Sequence, residues 1–281
     1  MERYMNWQLD QYESLWIRKG DYNITKKHDL VVVMRIRNEE LLLQNTLDHI
    51  SRFADYICVY DDCSDDSTRE ILKNNHKVFL IVENNKWRQG VDNRLLSETR
   101  HRGLLLQLAN KYLSFKWCMC CDADERYVGE IREFVSGDDY DSQPDGIRFQ
   151  LYDAYMTQND DKPYVKNQEL MNFRQYFGPE CRNILMLWKN KPSIQYLGLD
   201  AREPSCVDNV EVKFFCQHYG KSLSYEHWEE TCNYYVNNFP WDPYGVKWSS
   251  RKGKALHTIS DFGRPLYLWG NDLFSNSTTT F

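Results

Sequence analysis

The order of apolar and polar segments along the chain predicts strands that alternate with helices. Four apolar runs predict buried strands, at residues 30–36, 56–60, 78–82 and 117–122. Three segments that suit helices lie between them, at residues 41–50, 68–73 and 91–112. Strands and helices in this order form βαβ units with right-handed crossovers. We therefore predict an α/β fold built around a mainly parallel sheet flanked by helices.

The two ends of the chain do not follow this alternation. Residues 3–18 carry aromatic and leucine residues at helical spacing, which predicts an amphipathic helix packed on the body. Beyond residue 125 the expected elements are three strands and one helix, at residues 146–152, 184–188, 211–217 and 225–237. The tail from residue 240 is rich in Trp, Tyr, Gly and Pro, so we expect irregular chain there.

Polar residues collect where three of the predicted strands end. Residues 35–39 follow the first strand, Asp61 and Asp62 end the second, and Asp122-Ala123-Asp124-Glu125 ends the fourth. Parallel sheets bind ligands outside the carboxyl ends of their strands, so these residues predict a nucleotide and metal site. Two Asp separated by one residue can share Mg²⁺ or Mn²⁺, or can be solvated acids that end a strand. Asn38 is also expected to cap the helix that follows it.

Composition narrows the class of protein. The 281 residues are 42% hydrophobic and 27% charged, which is typical of a globular protein. A net charge of -6 disfavours nucleic acid as the main partner. Neither GxGxxG nor GxxxxGK occurs, so the chain is unlike dinucleotide oxidoreductases and P-loop enzymes. Nine cysteines, several inside apolar runs, favour a reducing cytoplasmic compartment, and Cys118 with Cys121 leaves zinc or redox use as an alternative.

These strand-end motifs resemble those of a known family, the nucleotide-sugar glycosyltransferases of the GT-A fold, particularly family 2. The matching segments are Arg37-Asn38-Glu39-Glu40, residues 61–68 with the pattern D-D-x-S-x-D-x-T, and the DxD at Asp122 to Asp124. His218 resembles a late histidine of the family. The resemblance implies one catalytic domain over residues 1–281: a nucleotide-sugar half at about 28–126, an acceptor-side half at about 127–221, and an aromatic-rich C-terminal extension at about 222–281.

The resemblance implies an inverting transferase, in which an acceptor hydroxyl displaces a nucleoside diphosphate from a sugar. It favours a UDP-sugar donor and a glycan or glycoconjugate acceptor. Mn²⁺ or Mg²⁺ would neutralise the leaving diphosphate. By similarity, Asp124 is the first metal ligand, Asp122 binds ribose or shares the metal, and His218 is a third ligand. A structural histidine is the alternative at His218.

The remaining site residues are also implied by the resemblance. Asp61 or Asp62 would accept hydrogen bonds from the base or ribose, whereas Asp65 and Asp66 fit helix capping better. Arg37, Asn38 and Glu39 would frame the nucleotide. Arg102, or its neighbour Arg100, would reach the diphosphate or sugar oxygens, with a helix-surface role as the alternative.

The general base is expected in the acceptor-side half. Asp200 is preferred over Glu203 as the carboxylate that takes the acceptor's proton, and Glu180 is a third candidate. Four aromatic residues of the second half could stack on acceptor sugars or simply pack the tail: Trp188, Trp241, Tyr244 and Trp248.

Two other functions stay open at this point. A nucleotidyltransferase of similar fold also uses acids and a divalent ion, although it would carry a glycine-rich and basic loop after its first strand. A non-catalytic protein could retain the cleft and bind only a sugar or nucleotide. No run reaches transmembrane length, and peripheral membrane contact through the Trp-rich tail is left open.

Overall fold

The computed structural model describes residues 6–20, 26–242 and 244–280. The strands are β1 Glu13–Ile17, β2 Lys27–Ile36, β3 Tyr56–Asp62, β4 Val78–Asn84, β5 Ser114–Cys121, β6 Glu125–Val128, β7 Gly146–Tyr155, β8 Tyr176–Lys189, β9 Val210–His218, β10 Tyr267–Leu268 and β11 Thr278–Thr279. The helices are α1 Leu43–Ile50, α2 Thr68–Asn74, α3 Val91–Tyr112, α4 Ile131–Ser136, α5 Tyr225–Asn238, α6 Tyr244–Ser249 and α7 Asn271–Ser275.

One sheet runs through the molecule in the order β1-β4-β3-β2-β5-β8-β7-β9-β6, with β10 and β11 paired to β8. The strands β4, β3, β2 and β5 are parallel, as the βαβ pattern predicts. The second half adds antiparallel pairs, because β8 runs against both β5 and β7. The α/β class is confirmed, and the sheet is mixed at its two sides.

The continuous apolar run of β2 reflects burial on both faces of the sheet. Leu30, Val32 and Met34 belong to one core cluster, whereas Val31 and Val33 belong to the other. Successive side chains of a strand point to opposite faces, so a strand covered by helices on both sides needs apolar residues throughout.

The predicted N-terminal helix is wrong for the described residues. Residues 13–17 form β1, which pairs antiparallel with β4, and residues 1–5 lie outside the described part of the chain. Trp16 packs on one core cluster and Leu15 and Ile17 on the other, which is the two-residue period of a strand. The open edge of β4 offers backbone partners that an isolated segment lacks, and this tertiary pairing overrides the helical spacing.

Several smaller expectations are corrected or confirmed. Asn38 does not cap a helix, because α1 begins five residues later and Asn38 has a φ of 54° in the preceding loop. The nine cysteines are all free, and Cys118 and Cys121 are buried on β5. No helix in the described ranges is long and apolar enough to cross a membrane.

Candidate active site

The parallel register brings the three predicted strand ends together. Ile36 lies opposite Asp61, and Met34 lies opposite Cys121, so the loops after β2, β3 and β5 adjoin. The Asn38 backbone N–H donates to Ser64 Oγ at 2.9 Å, and the Glu39 N–H donates to Thr68 Oγ1 at 2.8 Å. These bonds fix the loop after β2 onto the loop after β3.

A cleft of about 1010 Å³ opens at this edge of the sheet. Six of the predicted site residues line it: Arg37, Asn38, Glu39, Asp124, Glu180 and His218. Six others are not among its lining residues: Asp61, Asp62, Arg102, Asp122, Asp200 and Glu203. The structure therefore assembles part of the predicted site and holds the rest beside or behind the cleft.

Asp124 and His218 meet because β6 pairs antiparallel with β9. Glu125 lies opposite His218 in this register, which places the preceding Asp124 beside the end of β9. The Asp124 Oδ2 to His218 Nε2 distance is 3.2 Å. A Cβ at Gly220 would lie 2.4 Å from Asp124 Oδ2 and 3.1 Å from His218 Nε2. Asp124 thus packs so closely against Gly220 that a larger residue there would clash with its carboxylate.

Asp153 holds the other side of the His218 ring and was missed by the sequence analysis. The parallel pairing of β7 with β9 puts Asp153 directly opposite His218. Its Oδ1 lies 2.5 Å from His218 Nδ1, and its Oδ2 accepts from Lys221 Nζ at 3.0 Å. The sequence offered one signal for this role, an acidic residue one position past the predicted strand 146–152. A carboxylate on Nδ1 leaves Nε2 as the nitrogen that faces Asp124.

The charged residues around Asp124 and His218 shift one another's pKa values. Burial would raise the pKa of Asp124, but the neighbouring His218 and Arg202 lower it to about 2. Burial would lower the pKa of His218, but Asp124 and Asp153 raise it to about 9. Burial and the charges of Asp124 and Asp122 raise the pKa of Glu39 well above its ordinary value. Asp124 is thus ionised at neutral pH, and its charge favours the protonated form of His218.

Asp122 and Arg102 belong to a buried ion-pair network on the inner side of α3. Asp122 Oδ2 pairs with Arg202 Nη1 at 2.9 Å, and its Oδ1 pairs with Arg102 Nη2 at 3.3 Å. Arg102 also contacts Glu98, whose other oxygen pairs with Arg35 Nη1 at 2.6 Å. Asp122 is therefore turned toward arginines rather than toward Asp124.

The acids that end β3 are similarly engaged. Asp62 pairs with Arg35 at 2.7 Å, and Asp61 Oδ2 pairs with Arg69 Nε at 2.5 Å. The second oxygen of Asp61, Oδ1, is buried without a hydrogen-bond partner among the described residues. Burial raises the pKa of Asp61 despite this pairing. Asp66 accepts from the Thr68 N–H at 2.9 Å in the turn before α2, but the N-cap residue of that helix is Ser67.

Arg37 lines the cleft beside the loop after β2, and an aromatic ring packs against it. The Arg37 guanidinium lies 3.9 Å from the ring centroid of Trp87, and its Nη1 is buried without a partner among the described residues. Arg100 makes a bidentate pair with Glu13 of β1, at 2.5 and 2.6 Å, which gives it a structural role. Trp87 also packs 5.9 Å from Tyr234 of α5.

The three candidate bases occupy different environments. Asp200 pairs with Arg94 at 3.1 Å, and Glu203 makes a bidentate pair with Arg148 at 2.9 and 2.8 Å. Glu180 lines the cleft. Its Oε1 accepts from Ser260 Oγ at 3.1 Å, and its Oε2 is buried with no partner among the described residues.

The four aromatic residues considered for the acceptor have mixed positions. Trp188 is fully buried in the core, and Trp241 packs on Phe239 at 5.4 Å. Trp248 lines the cleft and stacks on Tyr235 at 4.8 Å. The side chain of Tyr244 lies outside the described part of the chain.

The donor set at Asp124 fits a hard divalent cation. No group of three His, Cys, Asp or Glu side chains is arranged around a metal position within residues 6–20, 26–242 and 244–280. Asp124 and His218 offer one carboxylate and one imidazole, and both pack against Gly220. Mg²⁺ in phosphate-transfer sites is commonly held by one or two protein ligands, with waters and substrate phosphates completing the shell.

Comparison with known proteins identifies the first half of the chain. Residues 31–130 match the model described as glycosyl transferase family 2. The chain carries a family 2 glycosyltransferase segment. The match covers less than half of the chain, and it spans β2 to β6 with the strand-end residues of the site. The predicted GT-A class and the predicted class of enzyme, a glycosyltransferase, are confirmed by this family 2 segment.

Solved structures show weaker similarity. S. aureus TarS 1–349 in complex with UDP-GlcNAc is 13% identical, covers 78% of this chain and 69% of its own, and has a TM-score of 0.41. The mannosyltransferase PcManGT from Pyrobaculum calidifontis, in complex with GDP-Man and Mn²⁺, is 15% identical, with coverages of 84% and 69% and a TM-score of 0.40. Similarity this low assigns no role to any residue of this chain. Comparison with curated proteins finds no match.

Proposed function

We propose that this glycosyltransferase is an inverting, metal-dependent enzyme that moves a sugar from a UDP-sugar to a hydroxyl of a glycan or glycoconjugate. The observation that carries the proposal is the meeting of Asp124 and His218 in a large cleft beside the family 2 segment. The whole chain acts as one catalytic domain, with the nucleotide at the ends of β2, β3 and β5. The acceptor lies over β7 to β9 and the C-terminal extension.

Asp124 and His218 would hold Mn²⁺ or Mg²⁺. When bound, the metal would supply the positive charge that stabilises the leaving diphosphate. Asp153 orients the His218 ring from behind through its 2.5 Å contact with Nδ1. Asp124 Oδ2 packs against Gly220, so a larger residue at this position would clash with a proposed metal ligand.

The remaining donor contacts come from the strand-end loops. Arg37, Asn38 and Glu39 line the cleft and would frame the nucleotide. Asp61, with its unpartnered Oδ1, would accept a hydrogen bond from the base or ribose, with Asp62 held beside it by Arg35. Asp122 and Arg102 lie behind this wall, so their contact with ribose or diphosphate requires the Arg202 pair to open.

Glu180 is the best placed of the three candidate bases, because it alone among them lines the cleft. In the transfer step the acceptor oxygen forms a bond to the anomeric carbon, while the bond from that carbon to the diphosphate oxygen breaks. The bonding pair leaves with the diphosphate, and the hydroxyl proton passes to the carboxylate and then to solvent. Asp200 and Glu203 remain the alternatives; each pairs with an arginine more closely than Glu180 Oε1 does with Arg264 Nε, at 3.9 Å.

The decisive experiment measures UDP release and sugar transfer from a panel of UDP-sugars, with Mn²⁺ and with excess EDTA. Asp124→Asn is expected to lower metal-dependent transfer by about a thousandfold, the effect of losing a strong electrostatic contact to the transition state. The fold, checked by circular dichroism, should be unchanged. Asp138→Asn is the matched control, because Asp138 is an exposed acid outside the cleft.

Each rival function gives a different result in the same assay. Full transfer in excess EDTA would contradict the metal assignment while leaving glycosyl transfer intact. A non-catalytic binding protein would release no UDP from any donor. A nucleotidyltransferase would instead form or cleave the sugar nucleotide, which yields pyrophosphate or a sugar phosphate rather than UDP.

A further inference from the structure

The far end of the cleft is rich in basic side chains. Lys221 Nζ lies 2.7 Å from Asp261 Oδ2, and Arg251 Nη2 lies 2.5 Å from the same oxygen. Lys221 also contacts Asp153, which is shared with His218 and Arg182. Asp153 and Asp261 are thus each shared by several cations.

Two donor groups at this end, Arg251 Nη1 and Lys247 Nζ, have no acidic partner within the described part of the chain. Arg251 Nη1 is buried with no hydrogen-bond partner among the described residues, although Nη2 of the same group is paired. The Lys247 ammonium makes no ion pair with any carboxylate in the described ranges and lines the cleft four residues before Arg251. Burial and the charges of Arg251 and Lys221 lower the pKa of Lys247, which indicates a locally positive environment.

An exposed aromatic ring stands beside these donors. Phe262 follows Asp261 in the chain, lines the cleft and is 63% exposed. Trp248 cannot offer a free face in the same way, because one face stacks on Tyr235 and the Arg251 guanidinium lies 5.0 Å from its ring centroid. An exposed flat apolar ring at a cleft mouth is suited to stacking on the face of a sugar.

We propose that Lys247, Arg251 and Phe262 form an acceptor subsite for a sugar that carries a negatively charged substituent, a carboxylate or a phosphate. Phe262 stacks on the sugar ring, and the two basic side chains bind the anion through charge-assisted hydrogen bonds. This inference rests on the proposed glycosyltransferase function.

The subsite belongs to the acceptor rather than to the donor diphosphate. A line of contacts from Asp124 through His218, Asp153 and Lys221 to Asp261 separates the metal residues from Arg251. The Ser260 hydroxyl, next to Asp261, donates to the candidate base Glu180. The basic donors therefore lie on the base side of the cleft.

Binding of three matched probes tests this subsite without requiring turnover. Isothermal titration would compare methyl β-D-glucuronide, glucose 6-phosphate and methyl β-D-glucoside, with UDP and Mn²⁺ present. At least one anionic probe should bind about tenfold more tightly than the neutral one, the effect of one charge-assisted hydrogen bond. Comparing the two anionic probes distinguishes a carboxylate from a phosphate.

Variants locate the effect in the protein. Lys247→Gln and Arg251→Gln should each abolish the preference for the anionic probe, while Lys252→Gln, on an exposed neighbour, should keep it. Lys247 is itself exposed, so Lys247→Gln is expected to fold normally even if Arg251→Gln does not. Phe262→Ala should weaken all three probes alike.

Equal binding of charged and neutral probes would overturn the subsite, as would binding of neither anionic probe. A loss of UDP affinity in Lys247→Gln would also overturn it, because the donor would then be using these groups. UDP release by the wild-type protein with added acceptors reports separately on the proposed function, so the two can fail independently.

Discussion

The two sides of the cleft use their charged residues differently. On the proposed donor side, Glu98 and Arg102 form a network with Arg35, Asp62 and Asp122, and of these five residues only Arg35 lines the cleft. On the acceptor side, the charged groups around Asp153 and Asp261 line the cleft itself. The charged groups of a buried ion pair must form their hydrogen bonds with each other, because water cannot reach them. Charged groups at a cleft wall can bind a ligand instead. The comparison predicts that the charges of the network around Glu98 determine stability, whereas the charges that line the cleft determine function.

The base gives the largest expected effect. Glu180→Gln should lower the transfer rate by about a thousandfold, within the range of general base catalysis, with little change in UDP binding. The measurement is the transfer rate at saturating donor, beside UDP affinity by titration. Asp200→Asn and Glu203→Gln serve as comparison variants. A large loss of transfer activity in Asp200→Asn, with full activity in Glu180→Gln, would instead identify Asp200, the partner of Arg94, as the base.

Gly220 tests whether close packing around Asp124 matters. Gly220→Ala should lower transfer about a hundredfold, because the added methyl must displace Asp124 Oδ2, and small misplacements of reacting groups cost rate on this scale. Gly253→Ala is the control: its positive φ of 72° strains the backbone, but a methyl there would meet nothing within 4 Å. Equal activity losses in the two variants would show that strain rather than the site is responsible.

Asp153 tests the support of His218. Asp153→Asn should weaken Mn²⁺ binding by about ten- to a hundredfold, since a metal-ligating histidine depends on the carboxylate at its other nitrogen. Electron paramagnetic resonance of free Mn²⁺ measures this directly, without substrate. Asp145→Asn, at a lysine pair away from the cleft, should leave Mn²⁺ affinity unchanged. Unaltered affinity in Asp153→Asn would remove Asp153 from the site.

Glu98 tests the donor side, through stability rather than activity. Glu98→Gln should lower the free energy of unfolding at pH 7 by about 3 kcal/mol, because buried arginines lose their shared carboxylate. Burial would raise the pKa of Glu98, but Arg35, Arg102 and Arg94 lower it. Its contribution is therefore present above the unfolded glutamate pKa of about 4.3 and is lost as pH falls below it.

Urea unfolding at pH 7 and at decreasing pH checks this assignment. The difference between wild type and Glu98→Gln should shrink as the pH falls below about 4. A difference that stays constant with pH would mean that packing, not charge, gives Glu98 its role. If Glu98→Gln lost Mn²⁺ binding but kept its stability, this result would contradict the proposed difference between the two sides of the cleft.

Sequence reasoning worked best where structure is local or where a strand is fully buried. The β-branched run at residues 30–36 is part of β2, and the predicted helix at residues 91–112 coincides with α3. It failed at β1, where the spacing of residues 15–17 suits either a helix or a strand. Pairing with β4 makes this segment a strand. It also missed Asp153, because nothing near residue 153 indicates that His218 will lie opposite.

The sequence by itself determined the α/β alternation, the parallel donor half and the convergence of Asp61, Asp62 and Asp124 on one edge. These follow from apolar periodicity and from the carboxyl-end rule for parallel strands, both of which are readable from local order. The tertiary structure decided which acids face the cleft. The register of β9 between β6 and β7 placed His218 between Asp124 and Asp153, and such register depends on contacts between distant segments.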